Sequence, residues 1–157
     1  MPHCHLCVWL ESDDKLRLPS DVDRCISAEI PDKESDPELH QLVKEFMMHG
    51  PCGPEHPSCP CMVDNKCSKK FPKKFNESTF IDESGYCIYK RSDNGRTVTK
   101  QGAELDSCFV VPYNATLLKR YQNKSLFSVI VYIEISLSIL YFTFIVCSLK
   151  GTKLTST

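Results

Sequence analysis

A chain of 157 residues has room for one small domain, and its shares of 41% hydrophobic and 25% charged residues set aside disordered and fibrous classes. The net charge of −1 conceals an asymmetry: residues 1–64 carry 13 acids against 5 bases, whereas residues 65–125 carry 6 against 12. A basic middle beside an acidic start suggests a surface that meets an anion, with nucleic acid the first candidate. Ten cysteines are a high content for this length. Met1-Pro2-His3 leads straight into a short apolar run without a basic n-region, so a secreted disulfide framework is not expected. Reduced, metal-ligating cysteines are.

The N-terminus reads as a strand over residues 5–10, preceded by Pro2-His3-Cys4-His5. Residues i and i+2 of a strand share a face, so His3 and His5 present two imidazoles together while Cys4 faces away. Such a pair is half a site for a divalent metal, although a lone His-x-His is weakly specific. After a polar connection, Ser20 with Asp23 three residues on suggests a capped helix through Ile30. Asp36-Pro37-Glu38 is an N-cap, a first-turn proline and a first-turn acid. Leu39, Leu42, Val43, Phe46 and Met47 then fall on one helical face, ended by Gly50-Pro51.

Residues 50–75 hold a cluster of cysteines and five prolines, so irregular backbone fixed by side-chain ligation is expected. His49, Cys52, Cys61 and Cys67 offer a His-Cys-Cys-Cys set for a tetrahedral zinc, with His56 and Cys59 as spare candidates. Directly after comes a run of Lys66, Lys69, Lys70, Phe71, Lys73 and Lys74, five lysines in nine residues. Lysines interleaved with phenylalanine can track a phosphate backbone and stack bases, though a bare lysine run is often only a solvated loop. Further on, 86–91 and 96–100 are β-prone around Asn94-Gly95, a hairpin signal. Phe109-Val110-Val111 suggests a short strand and Leu117–Tyr121 the start of a helix.

From Leu126 to Leu149 the chain is almost wholly apolar, the length and hydropathy of a membrane-spanning helix, with Glu134 the principal objection. The expected organisation is a domain over 1–121 and an unrelated tail over 122–157 that contains this C-terminal hydrophobic helix.

Several motifs together resemble one family. They are Pro2-His3-Cys4-His5, Ile26-Ser27-Ala28-Glu29-Ile30-Pro31, Met48-His49-Gly50-Pro51-Cys52-Gly53, Lys66-Cys67-Ser68-Lys69-Lys70-Phe71-Pro72-Lys73, Asn94-Gly95-Arg96-Thr97-Val98 and Val110-Val111-Pro112-Tyr113-Asn114. In order and spacing they are similar to the helicase-like replication-initiator (Rep) domain of Helitron rolling-circle transposons, over residues 1 to about 121. The resemblance implies an α+β fold, a partial antiparallel sheet of the HUH nuclease class with packed helices, nuclear localisation and single-stranded DNA as partner. It implies Mg²⁺ or Mn²⁺ on His3 and His5 polarising a scissile phosphate, with a tyrosine as nucleophile. The family's tyrosine pair (Tyr-x-x-Lys-Tyr) is missing: near 136–142 only Tyr141 stands, and Tyr113 and Tyr121 lie upstream of the place. The chain therefore reads as a Rep fragment truncated at both ends that does not nick DNA. The alternative is a small tail-anchored membrane protein, single-pass through 126–149, with a zinc-binding N-terminal module. No small-molecule substrate is evident.

Overall fold

The computed structural model of the chain describes residues 16, 18–83, 86–121, 125–133 and 140–148, and the strand expected at 5–10 lies outside them, with His3 and His5. The helix expected from Ser20 to Ile30 is shorter: α1 spans Pro19–Cys25, and the Asp21 carboxylate accepts the Leu18 N–H (2.9 Å) at its start. The chain leaves the helix at Ile26, whose backbone is extended. Ile26, Ala28 and Ile30 are all buried while Ser27 and Glu29 between them are only partly so. That alternation is the period of a strand, and it overrides a helix. Ser27 exchanges both backbone hydrogen bonds with Tyr113, each 2.9 Å.

The Asp36 helix forms as expected. Its side chain accepts the Leu39 N–H (3.1 Å) at the start of α2 (Pro37–Leu42), which continues as a π-helical turn over Val43–Met47. Leu39, Leu42, Val43 and Met47 enter a core with Ile30, Val98, Leu105, Val110, Tyr113 and Leu118. Leu118 comes from α3 (Ala115–Tyr121), capped by the Asn114 side-chain oxygen (Oδ1), which accepts the Leu117 N–H (2.9 Å). A smaller cluster joins Leu16, Val22, Ile26, Ala28, Cys87 and Tyr89.

The described strands pair as separate two-stranded antiparallel sheets, without the larger sheet expected. They are β1 (Met62–Val63) with β2 (Lys66–Cys67), β3 (Phe80–Ile81) with β4 (Cys87–Ile88), and β5 (Val98–Lys100) with β6 (Ala103–Leu105). The hairpin expected across Asn94-Gly95 does not form. Its first half pairs backwards instead, with Arg91 bridging Asn76, and its second half turns at Gln101-Gly102, where φ is +50° and +82°. Asn94 accepts the Arg96 N–H (3.0 Å), a local turn that leaves the Arg96 guanidinium on Asp32 (2.8 Å). Phe109-Val110-Val111 begins with a 3₁₀ turn (Ser107–Phe109), and only Val110 makes a β-bridge, to Met48.

The expected C-terminal helix is also corrected. The apolar tail is a strand pair, β7 (Ser125–Ile133) with β8 (Leu140–Ser148), in register from Ser125 opposite Ser148 to Ile133 opposite Leu140. Runs such as Val129-Ile130-Val131-Tyr132-Ile133 and Phe142-Thr143-Phe144-Ile145-Val146 are β-branched and aromatic, which favours strands over helix. No helix among the described residues is long and apolar enough to cross a membrane.

Among the described residues Arg91 is the buried charge, 3% exposed. Its guanidinium donates to the carbonyls of Ala28 (3.3 Å), Ser107 and Val110 (2.8 Å). Burial pulls its pKa down to about 10, still high enough for a full charge at neutral pH. Arg91→Ala removes the donor to three carbonyls and opens a cavity, so it is expected to cost about 3 kcal/mol or more, read by urea unfolding. Burial also pushes the thiols of Cys87 and Cys108 up to about 11 and the Tyr113 phenol up to about 12. These groups lose protons in the unfolded chain first, near 9.0 and 10.0. At these three groups the native state then binds more protons than the unfolded one, against the single opposite shift of Arg91 above about 10, so stability should fall as pH climbs from about 9 through about 11. Unfolding midpoints measured across that range check it; a flat profile would contradict the burial of these groups.

Candidate metal centre

His49 leaves the π turn and is pinned at once. Its N–H donates to the Phe109 carbonyl (2.8 Å), while Lys100 Nζ donates to the carbonyl of Met48 just before it (2.8 Å). Gly50 follows at φ +104°, a conformation that L side chains rarely adopt; a Cβ there would stand 3.0 Å from the Cys52 nitrogen. This glycine reverses the chain and brings Cys52 back beneath His49. Successive turns, closed by Cys59 N–H to the His56 carbonyl (3.2 Å) and Met62 N–H to the Cys59 carbonyl (2.9 Å), carry the backbone to Cys61.

Cys61 and Cys67 then flank the β1–β2 hairpin. Asp64 and Asn65 at its tip have φ of +49° and +59°, the two left-handed residues of a type I′ loop. Met62 stands opposite Cys67, and the Ser68 N–H closes on the Cys61 carbonyl (2.8 Å). The tight turn folds two ligands, distant in sequence by a hairpin, toward one point.

One donor atom from each of His49, Cys52, Cys61 and Cys67 lies within 4.8 Å of the others, and Cys67 Sγ is 3.3 Å from His49 Nε2. A tetrahedral zinc with Zn–S bonds of about 2.3 Å and a slightly shorter Zn–N bond sets its donors about 3.5 to 3.8 Å apart. Closing the widest pair needs a contraction of about 1 Å, within reach of side-chain rotation. The residues fit a metal ion such as zinc, and thiolate donors select against hard cations such as Mg²⁺. The spare candidates are not in the cluster: Cys59 Sγ donates to the Pro51 carbonyl (2.8 Å), and His56 is not among the four grouped residues.

The donors are electrostatically unequal. Burial, then hydrogen bonds to its neighbouring thiols, pushes Cys52 up to about 12, and burial likewise raises Cys61. At Cys67 burial also pushes upward, but the backbone N–H groups of Phe71 and Lys69 aimed at its sulfur outweigh it, and the thiol falls below its ordinary value. Burial lowers His49, assisted by Lys73, Lys100 and Lys69, so its imidazole is neutral and free to ligate at neutral pH. Three thiolates cannot crowd together without a cation among them. A divalent ion supplies that charge and drives the protons off.

The lysine run surrounds this centre. Lys66, Lys69, Lys70 and Lys74 are exposed, whereas Lys73 is half-buried, its Nζ on the Lys69 carbonyl (3.0 Å) and 4.9 Å above the Phe71 ring. Phe71 stacks on the His49 imidazole, ring centroids 4.2 Å apart and 17° between planes. Sequence alone assigned Phe71 to bases; the structure sets it against a metal ligand. Phe75, 38% exposed next to Lys74, is the open aromatic of the run.

Protein purified under reducing conditions should carry about one zinc per chain, and Cys61→Ser should lose most of it while Cys59→Ser keeps it. Elemental analysis of the three proteins decides; zinc lost equally from both variants would mean that the wrong thiols have been singled out.

Compared with models of known protein families and with curated proteins, the chain matches none.

Proposed function

We propose that the chain is a zinc-stapled module of Helitron Rep ancestry that binds single-stranded DNA through Lys66–Lys74 and does not cut it. The observation that supports this most is the position of the lysine run. It leaves directly from the ligand Cys67, so the cation that gathers His49, Cys52, Cys61 and Cys67 also fixes the base of a strongly basic loop. Four exposed ammonium groups on one short loop match the spacing demands of a phosphate backbone better than those of a small ligand. Phe75 offers a face on which a base can stack. The ancestry rests on the motif resemblance alone. Within it, His3 and His5 supply only two imidazoles to Mg²⁺ or Mn²⁺, and hold such an ion loosely. Tyr141, without a partner tyrosine, is not set to attack a phosphate.

Binding of a labelled oligothymidylate, followed by anisotropy, should weaken with salt at a log–log slope of roughly −3, as expected for about four phosphate contacts. Replacing Lys66, Lys69, Lys70 and Lys74 together by Gln should remove most of that affinity; equal binding by this variant would refute the assignment. Incubation with single-stranded DNA and Mn²⁺ should give no covalent protein–DNA adduct on a denaturing gel. An adduct that disappears in Tyr141→Phe would show a working nuclease instead.

A further inference from the structure

The loop that carries the lysines is built around a sulfur. The Cys67 thiol accepts the backbone N–H groups of Lys69 and Phe71, and the Cys67 carbonyl accepts the Lys70 N–H (2.8 Å), with Lys70 itself at φ +57°. Phe71 lies between two partners, the His49 imidazole stacked at 4.2 Å and the Lys73 ammonium at 4.9 Å. Lys73 in turn ties back to the Lys69 carbonyl through Nζ (3.0 Å) and to the Cys108 carbonyl through its N–H (2.9 Å). Every backbone turn between Cys67 and Lys73 therefore refers to a ligand of the metal centre or to a group stacked on one.

We infer that metal occupancy of the His49–Cys52–Cys61–Cys67 site gates the affinity of the Lys66–Lys74 loop for single-stranded nucleic acid. This rests on the binding role given to the loop above and adds its regulation. With the cation present, Cys67 and His49 are tied through it to Cys52 and Cys61, so both anchors of the loop are held at one spacing. His49 is fixed in orientation, so the stack on Phe71 is fixed too. The ammonium groups of Lys69 and Lys70 then project from a single backbone arrangement. Without the cation only the 3.3 Å contact between Cys67 Sγ and His49 Nε2 joins the two ligands, so the imidazole and the Phe71 ring stacked on it are held less firmly. The lysines keep their charge but lose their common geometry, so fewer of them reach phosphates at once. The coupling is reciprocal: bound nucleic acid must tighten the hold on zinc by the same factor.

The test uses the full chain in three forms: zinc-loaded, stripped by a chelator, and zinc-loaded Phe71→Leu, which keeps all four ligands but breaks the stack. Each is titrated against a labelled oligothymidylate over a series of salt concentrations, with circular dichroism and zinc content recorded alongside. Each lost phosphate contact costs about fivefold in affinity near 0.1 M salt, so losing two contacts predicts a fall of about 25-fold on stripping, with a shallower salt slope. Phe71→Leu, with zinc content unchanged, should lose about fivefold. If the stripped protein also unfolds by circular dichroism, the Phe71→Leu result alone decides. Equal affinity and slope in the loaded wild type and Phe71→Leu would overturn the gating and leave the binding role standing. No salt-dependent binding by the loaded wild type would overturn both.

Discussion

The short segment from Ser107 to Val111 is the constraint on which the other parts hang. Four of its carbonyls and one N–H bond to other elements. The Ser107 and Val110 carbonyls accept the Arg91 guanidinium, the Cys108 carbonyl accepts Lys73 N–H, the Phe109 carbonyl accepts His49 N–H, and Val111 N–H donates to Met47. The Ser107 hydroxyl also accepts the Ile30 N–H (3.3 Å). The buried guanidinium places its donors on carbonyls, and this fixes where the segment carrying them runs. Once Val110 is placed, Met48 bridges it and His49 is aimed. Both ends of the metal loop, His49 and Lys73, are fastened to the same few peptide groups. The centre is thus positioned from the core outward, although its ligands sit in a region with almost no core of its own.

That region has little apolar burial to hold it. Between Gly53 and Lys74 no side chain is fully buried, and Val63 stands 58% exposed. Little apolar area is removed from water there, so hydrophobic burial cannot offset the entropy of fixing about twenty backbone residues. Tight turns with left-handed residues at Asp64, Asn65 and Lys70 add local cost for residues other than glycine. A cation joined to the four side chains would contribute the missing free energy in one step, as in small metal-dependent folds. The arrangement also accounts for the charge pattern of the sequence. A centre of three thiolates, one imidazole and Zn²⁺ would carry a net negative charge, and Lys69, Lys73 and Lys100 stand near His49 where they would offset it.

What the sequence disclosed and what it hid divide along physical lines. The Asp36 helix was legible because capping, proline placement and a 3.6-residue apolar period agree with one another, and the four-ligand set was legible from residue type and spacing. The stretch Ile26–Ile30 was misread because its short alternation was absorbed into a helix started by a plausible cap, while the partner that makes it extended, Tyr113, lies far along the chain. Asn94-Gly95 is a sound turn signal, yet the burial of Arg91 and its bridge to Asn76 outcompete the local hairpin. Conversely, Asp64-Asn65 closes the hairpin that matters most to the site and was overlooked in a region dominated by cysteine and proline. In the tail, hydropathy and length pointed to a helix, but both are blind to the β-branched and aromatic bias that sets strand pairing.

The inequality among the donors gives the site a direction. At neutral pH the metal-free protein holds His49 neutral and Cys67 nearest to ionisation, with the two atoms already 3.3 Å apart. These are the two ligands tied to the lysine loop, Cys67 through its N–H···S bonds and His49 through Phe71. Cys52 and Cys61, whose thiols are raised, have to surrender protons to a cation that has already arrived. Each deprotonation is opposed by burial and favoured by the ion, so the last ligands close only on a metal that binds thiolate strongly. A hard cation that stopped at His49 and Cys67 would leave Cys52 and Cys61 protonated and the centre open. A soft or borderline metal would thus be the one to close the site, and it would meet first the two ligands that already touch, His49 and Cys67.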